Sequence, residues 1–414
     1  MGAIFKLTQL KNSLKKLNIC LVYPGYPPYE KESGGISSYV QENVRFLTAA
    51  GHNVIVISRT PGISHIIETN TDKTKIIYLP HFLPRICKFF APLKFNKFGA
   101  YFYSYKVYKL IKKLERKNRM YFDVIETSDW GGEGYFFVKK FPARTIIKCD
   151  TPSFIAESYN PNNPAYLSSF VKKLEQRTLL NAKNIVTNSK ILMQKICAVL
   201  HKNLPFTLVQ LSMKTIPVQK TNYKENFSKN TPMNIIFSGR IEERKGIFDL
   251  IDAIKQLRKK GLYIELHCFG ATTPMKHTDS ITLLKNKGYG WLHFYGQIPR
   301  EQIIKEYKNY DLCVVPSVFD SFCLTALEAI LSKIPTIVSD TTGISDLISD
   351  KFIVFSFPRD IISKIKDVYF NYASYARKTD LVLDDLLCET DRANIDRMTY
   401  YFKIAKQNNL KSKC

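Results

Sequence analysis

The sequence predicts an α/β protein made of two doubly wound, Rossmann-like domains of parallel strands that face each other across a cleft. Short runs rich in β-branched residues alternate with longer amphipathic segments, and the runs are apolar on both faces, as in strands covered by helices on two sides. The alternation stops at a polar stretch over 219–232 and then begins again. A length of 414 residues suits two domains.

Each half of the chain contributes six predicted strands. In the first half they are LNICLVY (17–23), NVIVIS, KIIYL, FDVIE, TIIKCD and NIVTN. In the second half they are MNIIFSG, YIELHCFG, WLHFYG, DLCVVPS, PTIVS and FIVFS. Because ligands of doubly wound sheets bind at the carboxyl ends of the strands, the loops after these runs are where function is expected.

The strand pattern also sets the expected domain boundaries. We expect a basic N-terminal segment (1–16), a first domain (17–215), a linker (216–232), a second domain (233–385) and a C-terminal helix (386–414). The last helical pattern has no strand after it, so we expect this helix to pack back on the first domain.

Composition narrows the classes of function. A hydrophobic fraction of 45% indicates globular cores, and a net charge of +25 indicates attraction to polyanions. The alternative of a nucleic-acid-binding protein is weak, because no RRM, KH, helix-turn-helix or zinc-finger pattern occurs; no nucleic-acid partner is expected. The nine cysteines form no C-x-x-C pair, and no clustered His and Cys ligand set indicates a metal site.

The location follows from hydropathy. No apolar run is long enough to span a membrane, and lysines interrupt the hydrophobic residues of the first 20 positions, so we expect a cytoplasmic protein. A basic aromatic segment, 81–119, suits an anionic membrane surface and suggests peripheral binding at the inner face of the cell membrane. Alternatively, its Tyr101, Tyr105, Tyr108 and Ile111 simply face the core of a helix.

Two loops offer sites for an anion. Gly34 and Gly35 directly precede an amphipathic helix starting near Ile36, so backbone amides and the positive end of a helix dipole point into the cleft. Glycines also serve merely to turn a chain. In FSGRIEERKGIFDL, Arg240 and Lys245 could bind a diphosphate, or they could belong to a surface loop paired with its own acids.

A third loop, in VPSVFDSFCLTALEAI, holds Asp320 before a predicted helix and Glu328 about two turns inside it. Carboxylates at this spacing are too far apart to act as an acid pair, but they could hold two parts of one sugar-containing ligand. The alternative is that Asp320 caps the helix and Glu328 is a surface acid.

Together these loops resemble glycosyltransferase family 4, retaining enzymes of the GT-B fold that use nucleotide-activated sugars. The similarity runs from about residue 17 to about 375, and its most specific part is PSVFDSFCLTALEAILSKIPTIVSD, which is similar to the family motif P-S-x-x-E-G-F-G-x-x-x-x-E-A followed by G-x-P-V-V. The resemblance implies that residues of the first half bind the acceptor and residues of the second half bind the donor.

The resemblance also implies roles for individual residues. The implied donor-binding residues are Gly34, Gly35, Arg240, Lys245, Gly296, Gln297, Ile298, Asp320, Ser321, Phe322, Cys323, Leu324 and Glu328. Arg240 and Lys245 would bind the diphosphate, Glu328 the ribose hydroxyls, Asp320 the transferred sugar, and 296–298 the base. The implied catalytic residues are Arg240, Lys245, Asp320 and Asp150. No metal is expected at the donor, since the chain has no D-x-D motif, and no cofactor is expected.

The chain departs from the family pattern at several positions. Asp320 replaces a Glu, Ser321 and Cys323 replace glycines, and Lys333-Ile334 stands where a glycine usually precedes the proline. Many members have a His where this chain has Asp150, and Asp129 is a further acid in the expected cleft. These changes leave the sugar of the donor open.

The predicted function is metal-independent transfer of a hexose from a nucleoside diphosphate sugar, UDP- or GDP-linked, to a glycan or lipid-linked acceptor, in cell-surface polysaccharide or glycolipid biosynthesis. The departures from the family pattern suggest an alternative function: a catalytically degenerate member of the family that binds sugar or acts as a scaffold.

Overall fold

The chain forms two parallel β-sheets flanked by helices. The computed structural model describes residues 16–27, 35–60, 65–71, 74–80, 99–117, 119–159, 169–211, 227, 231–272, 288–348 and 353–411. All statements below refer to these residues.

The first sheet comes from the first half of the chain. Its strands are β1 (Asn18–Pro24), β2 (Asn53–Thr60), β3 (Ile67–Thr71), β4 (Thr74–Pro80), β5 (Val124–Ser128), β6 (Thr145–Cys149), β7 (Ile185–Thr187) and β8 (Phe206–Leu208). They lie in the order β3-β4-β2-β1-β5-β6-β7-β8. Neighbouring strands are parallel, except that β3 runs antiparallel to β4.

The second sheet comes from the second half and is parallel throughout. Its strands are β9 (Met233–Ser238), β10 (Ile264–Phe269), β11 (Leu292–Gly296), β12 (Leu312–Val315), β13 (Thr336–Ser339) and β14 (Val354–Phe355). The order is β11-β10-β9-β12-β13-β14, so β9, β12 and β13 are neighbours at the point where the strand order reverses. Such a reversal opens a crevice at the carboxyl ends of the strands.

Eleven α-helices connect and cover the strands in the described part of the chain. They are α1 (Gly35–Ala49), α2 (Gly99–Lys117), α3 (Tyr135–Lys140), α4 (Ser153–Tyr159), α5 (Ser169–Asn181), α6 (Lys190–Leu200), α7 (Ile247–Lys259), α8 (Arg300–Glu306), α9 (Leu324–Leu331), α10 (Ile361–Phe370) and α11 (Tyr372–Lys411). None of these helices combines the length and the apolar character that crossing a membrane requires.

The structure confirms the α/β fold class with two parallel sheets, and all twelve predicted runs contain strands. Two strands were missed. β3 is a polar edge strand, IETNT, whose sequence lacks the apolar run that marks a covered strand. β8 is a short edge strand of three residues, partly exposed.

The C-terminal helix α11 contacts both halves of the chain. Near its start, Tyr372 donates a hydrogen bond to the Asp311 carbonyl oxygen (2.9 Å). Farther along, the Tyr401 hydroxyl donates to the buried Glu126 carboxylate on β5 (2.5 Å), and Asn408 donates to the Asp123 carbonyl oxygen (3.2 Å). The helix therefore joins the start of β12, an interior strand of the second sheet, to β5 near the centre of the first.

Helix α2 contains the part of the basic aromatic segment that the structure describes; 81–98 lie outside the described residues. Of the four residues that could face the core, only Ile111 is buried. Tyr103 and Val107, which the sequence analysis did not name, are the other hydrophobic residues in the same stretch of the helix that are buried. Tyr101, Tyr105 and Tyr108 instead border the core, because all three rings pack against Phe136 at the side of the helix.

Candidate active site

The loops that follow β9 and β12 meet in an ion pair between Lys245 and Asp320. Lys245 ends a 3₁₀ turn over Glu243–Lys245, and Gly246 follows it with a φ of 66°. A Cβ atom at Gly246 would lie 1.8 Å from the Pro316 carbonyl oxygen, so only glycine allows this close contact. The close approach places the Lys245 ammonium against the Asp320 carboxylate.

Asp320 is held in a single orientation. Its side chain accepts hydrogen bonds from Lys245 and from the Phe322 backbone N–H (3.4 Å). Burial acts to raise the pKa of the Asp320 carboxyl, but the Lys245 ammonium and the Arg244 guanidinium hold that pKa below its usual range. Asp320 is therefore a fixed carboxylate. It does not cap α9, which begins at Leu324 after Cys323.

Two arginines of the β9 loop share one acid, Glu242. Arg244 is buried and donates to Glu242 Oε1 (2.8 Å) and to the Phe319 carbonyl oxygen (2.9 Å). Arg240 lies 3.3 Å from the same carboxylate oxygen, but 58% of its side chain is exposed. Sequence reasoning missed the structural role of Arg244. The alternative that cations of this loop pair with its own acids is therefore correct for Arg240. Even so, the Arg240 guanidinium remains accessible to solvent.

Glu328 lies about one turn into α9, not two, because the helix begins at Leu324. It is buried, not a surface acid, and its Oε1 accepts a hydrogen bond from Arg300 Nε at 2.5 Å. Burial raises the pKa of the Glu328 carboxyl, and Arg300 partly offsets the rise. The sequence analysis did not single out Arg300, since nothing in its local pattern marks it as a partner of Glu328.

The loop of residues 296–298 links Arg300 to the second sheet. Gly296 ends β11 with a φ of 77°; Gly296 and Gln297 are exposed, while Ile298 packs on the core. Only Pro299 separates this loop from Arg300, the first residue of α8. The loop expected at the base and the acid expected at the ribose are thus joined through Arg300.

The first half approaches the site at the start of α1. Gly34 lies outside the described residues, and Gly35 is the first residue of α1. A Cβ atom at Gly35 would be 3.6 Å from Leu324 Cδ1, so the starts of α1 and α9 face each other. Nearby, the rings of Tyr159 and Phe319 stack with centroids 4.8 Å apart. The two halves are therefore in contact around the β12 loop.

Two acids follow neighbouring strands of the first sheet. Asp129 follows β5 and accepts a hydrogen bond from the Asp150 backbone N–H after β6 (3.2 Å). Burial raises the pKa of the Asp129 carboxyl well above its usual range, and the nearby Asp150 and Glu175 add to the rise. Asp150 pairs with the buried Lys148 (2.8 Å), a partner that the sequence analysis did not identify.

One carboxylate oxygen of Asp150 has no hydrogen-bond partner among the described residues. Its Oδ1 accepts from Lys148, whereas its Oδ2 is buried and has no hydrogen-bond partner among the described residues. A buried carboxylate oxygen without a partner is costly unless a ligand supplies one. Asp150 therefore offers an acceptor site for a hydroxyl group.

Comparison with known families settles the class. A family model described as glycosyl transferases group 1 matches residues 218–379, and one described as glycosyltransferase family 4 matches residues 33–204. The chain is a glycosyltransferase of the family 4 type. Each half of this glycosyltransferase thus matches one of the two family models.

Some proteins are similar to this glycosyltransferase over most of its length. An uncharacterized glycosyltransferase from Methanocaldococcus jannaschii is 22% identical over 350 residues, which are 80% of this chain and 83% of the relative. Among solved structures, sucrose-phosphate synthase from Thermosynechococcus elongatus has a TM-score of 0.70 and 18% identity, over 94% of this chain and 99% of that chain.

A second solved structure with the same fold contains ligands. The catalytic domain of starch synthase IV from Arabidopsis thaliana, bound to ADP and acarbose, has a TM-score of 0.68 and 13% identity. It matches 95% of this chain and 100% of its own. At these identities the likeness establishes the GT-B fold of the glycosyltransferase.

Two departures of this glycosyltransferase from the family pattern fall at unusual backbone conformations. Cys323 has a φ of 82° and Lys333 a φ of 59°, both in the left-handed region that glycine adopts without strain. At each of these two positions a non-glycine residue thus adopts a conformation that glycine would adopt without strain. Burial raises the pKa of the Cys323 thiol to about 12, so this thiol is no nucleophile at neutral pH.

Proposed function

We propose that this glycosyltransferase moves a hexose from a nucleoside diphosphate sugar to a hydroxyl group of a glycan or lipid-linked acceptor, with retention of the anomeric configuration and without a metal. The observation that carries the proposal is the Lys245–Asp320 ion pair at the carboxyl ends of β9 and β12. A cation and an anion fixed side by side suit a ligand that has a diphosphate next to a sugar.

The diphosphate would bind between the two helix starts. The exposed guanidinium of Arg240, the Lys245 ammonium and the amides at the start of α9 supply positive charge. Each well-placed donor of this kind stabilises the charge on a leaving group by about 3–4 kcal/mol. Arg240 would exchange its contact with Glu242 for the phosphate.

The nucleoside would extend toward the other edge of the second sheet. Glu328 accepts hydrogen bonds from the ribose hydroxyls, while Arg300 keeps its carboxylate in place. The exposed residues at 296–297 border the base. UDP and GDP are the nucleotides we expect. One solved structure with the same fold is bound to ADP, which supports a nucleotide as part of the ligand.

In the transfer step, the bond between the anomeric carbon and the diphosphate oxygen breaks, and the acceptor oxygen bonds to the same carbon. The acceptor proton passes to the leaving phosphate oxygen, so no protein nucleophile is needed. Asp320 would bind hydroxyls of the transferred sugar, and the unpaired Oδ2 of Asp150 would accept a hydrogen bond from the sugar or the acceptor.

The proposal requires both halves of the chain. We take 17–215 as the acceptor-side unit and 233–385 as the donor-side unit, joined by the linker 216–232, with the C-terminal part of α11 packing back on the acceptor-side unit. Contacts between the halves at Gly35 and Leu324 and at Tyr159 and Phe319 support closure over the donor. Neither unit expressed alone should transfer sugar, and activity in either one would contradict this division.

A melting-temperature screen tests donor binding. UDP-, GDP- and ADP-hexoses are compared on the wild type, on Lys245→Ala and on the control Lys259→Ala at the exposed end of α7. A true donor raises the melting temperature of the wild type and the control, and much less that of Lys245→Ala. No shift with any of them would contradict the proposal. Binding without turnover would favour the alternative of a degenerate, sugar-binding member.

The surface of α2 supports a membrane-associated acceptor. Phe102 and Tyr105 are 44% and 41% exposed, and they lie among exposed basic residues of the helix: Lys106, Lys109, Lys112, Lys113, Arg116 and Lys117. Aromatic rings among ammonium groups suit the headgroup layer of an anionic membrane. We therefore place the enzyme at the cytoplasmic face of the membrane, acting on a lipid-linked or surface-polysaccharide precursor.

Vesicle flotation tests this placement. Wild-type protein should float with vesicles that contain anionic lipid and not with neutral ones. The double variant Lys109→Glu/Lys113→Glu should lose most of this binding, whereas the control Lys202→Glu, an exposed lysine beyond α6, should keep it. Equal flotation of all three proteins, or none at low salt, would remove the membrane from the proposal.

A further inference from the structure

Three metal-ligating side chains meet on one face of the second sheet, away from the Lys245–Asp320 site. They are Glu265 and His267 on β10 and His293 on the neighbouring edge strand β11. One ligand atom from each residue can be chosen so that all three lie within 4.8 Å of one another. The parallel register brings them together, because His267 is directly opposite His293 and Glu265 lies two residues earlier on the same face.

The distances suit a single metal ion. Glu265 Oε2 lies 3.7 Å from His267 Nε2 and 3.4 Å from His293 Nε2. Ligand atoms at about 2.0–2.2 Å from a zinc ion in a tetrahedral site are separated by distances of this size. The two imidazole rings stack with centroids 4.7 Å apart, so their planes are already aligned.

The surroundings leave the relevant nitrogens available. The hydroxyl of Tyr295 lies 3.0 Å from His267 Nδ1, and this contact holds the ring with Nε2 toward Glu265. The Asn234 side-chain oxygen, at 3.4 Å from His267 Nε2, makes only a long contact. His293 Nε2 is buried and has no hydrogen-bond partner among the described residues.

We propose that Glu265, His267 and His293 bind one divalent transition-metal ion of the zinc type, with water completing its coordination. Two imidazoles and one carboxylate are a ligand set that such ions prefer over Mg²⁺ or Ca²⁺. The sequence analysis expected no metal site, because His293 is distant in sequence from Glu265 and His267 and only strand pairing brings it to them. The ion would fasten the edge strand β11, and with it the loop at 296–298, to β10.

Zinc titration of the metal-free, full-length protein tests this site. The variants are His293→Ala, on the edge strand, and the milder Glu265→Gln. The control is His201→Asn, an exposed histidine in a left-handed turn that Asn also tolerates. We expect the wild type and the control to bind one Zn²⁺ per chain, with a rise in melting temperature and, with Co²⁺, visible absorption bands. Each variant should bind at least about tenfold more weakly.

Two results would overturn the proposal. One is the absence of stoichiometric Zn²⁺ binding by the wild type. The other is equal affinity in the wild type and in Glu265→Gln, provided that circular dichroism shows this variant to be folded. Because the readouts are metal binding and absorption, they are independent of glycosyl transfer, and the site can fail without affecting the proposed function.

Discussion

The ammonium of Lys245 and the carboxylate of Asp320 form an ion pair between the loops that follow β9 and β12. Two residues that are distant in sequence are thereby fixed before any ligand arrives. In the proposed enzyme Lys245 serves the diphosphate and Asp320 serves the sugar, so the pair sets the position of one group relative to the other. Preorganised charge of this kind needs little rearrangement during reaction.

The Asp320→Asn variant separates sugar recognition from nucleotide binding. We expect its Kd for the nucleoside diphosphate to stay within about threefold of the wild type, because the cations and Glu328 are unchanged. Its kcat with the sugar donor should fall by about 100-fold, since a charged contact to the transferred sugar is lost. Titration calorimetry and initial rates measure the two effects, with the exposed Asp252→Asn as control. Wild-type kcat in Asp320→Asn would exclude the proposed contact.

The role of Glu328 is tested with a ligand that lacks the 2′-hydroxyl. In the wild type, replacing ribose by 2′-deoxyribose in the nucleoside diphosphate should weaken binding by about 10-fold or more, because a hydrogen bond to a charged group is lost. In Glu328→Gln this difference should largely vanish. Equal losses in the two proteins would show that Glu328 does not contact the ribose.

The left-handed conformation of Lys333 gives a prediction about stability. Lys333 follows α9, and the Ile334 N–H donates to the Ala329 carbonyl oxygen (3.2 Å) in the helix-ending motif that favours glycine. Lys333→Gly should raise the free energy of unfolding by about 0.5–1 kcal/mol, and Lys333→Val should lower it by more than 1 kcal/mol, roughly. Chemical denaturation measures both. A destabilised glycine variant would contradict the assigned backbone conformation.

The buried carboxyl of Glu133 should make the free energy of unfolding depend on pH. It is fully buried with Arg59 at 3.6 Å, and burial raises the pKa of its carboxyl to about 7, with Arg59 lowering it in part. Because the unfolded chain loses this proton at lower pH than the folded protein does, Glu133 lowers the free energy of unfolding as pH rises from about 4.5 through about 7. Glu133→Gln removes this effect. Between about pH 5 and 8 its stability relative to the wild type should improve by roughly 3 kcal/mol.

Measuring the difference between the two proteins cancels other groups, including Glu175, whose pKa burial also raises to about 7. A stability difference that stays constant over this range would mean that Glu133 does not titrate there.

The sequence reveals the strands and the loops of the site because both have local signals. Covered parallel strands are continuous apolar runs, and the loops after β9 and β12 carry a family motif. The pairing of side chains has no such signal. Asp320 could be expected near a sugar, but its contact with Lys245 depends on Gly246 packing against Pro316, which only the folded structure shows.

The same limit applies to Arg300 and to the three residues Glu265, His267 and His293. Arg300, the first residue of α8, donates to Glu328 of α9, and His267 lies opposite His293 because β10 and β11 pair in this register. Sequence patterns identify elements and faces, whereas the register between elements decides which side chains meet.

Release of nucleoside diphosphate from the preferred donor, measured with wild type, Lys245→Ala and Lys259→Ala in the presence of a membrane-derived acceptor fraction, tests the central claim most directly. The account predicts acceptor-dependent release by the wild type and by Lys259→Ala, and a rate at least about 100-fold lower for Lys245→Ala. Wild-type release by Lys245→Ala would contradict the account, because the diphosphate would then leave without the cation that is proposed to stabilise it.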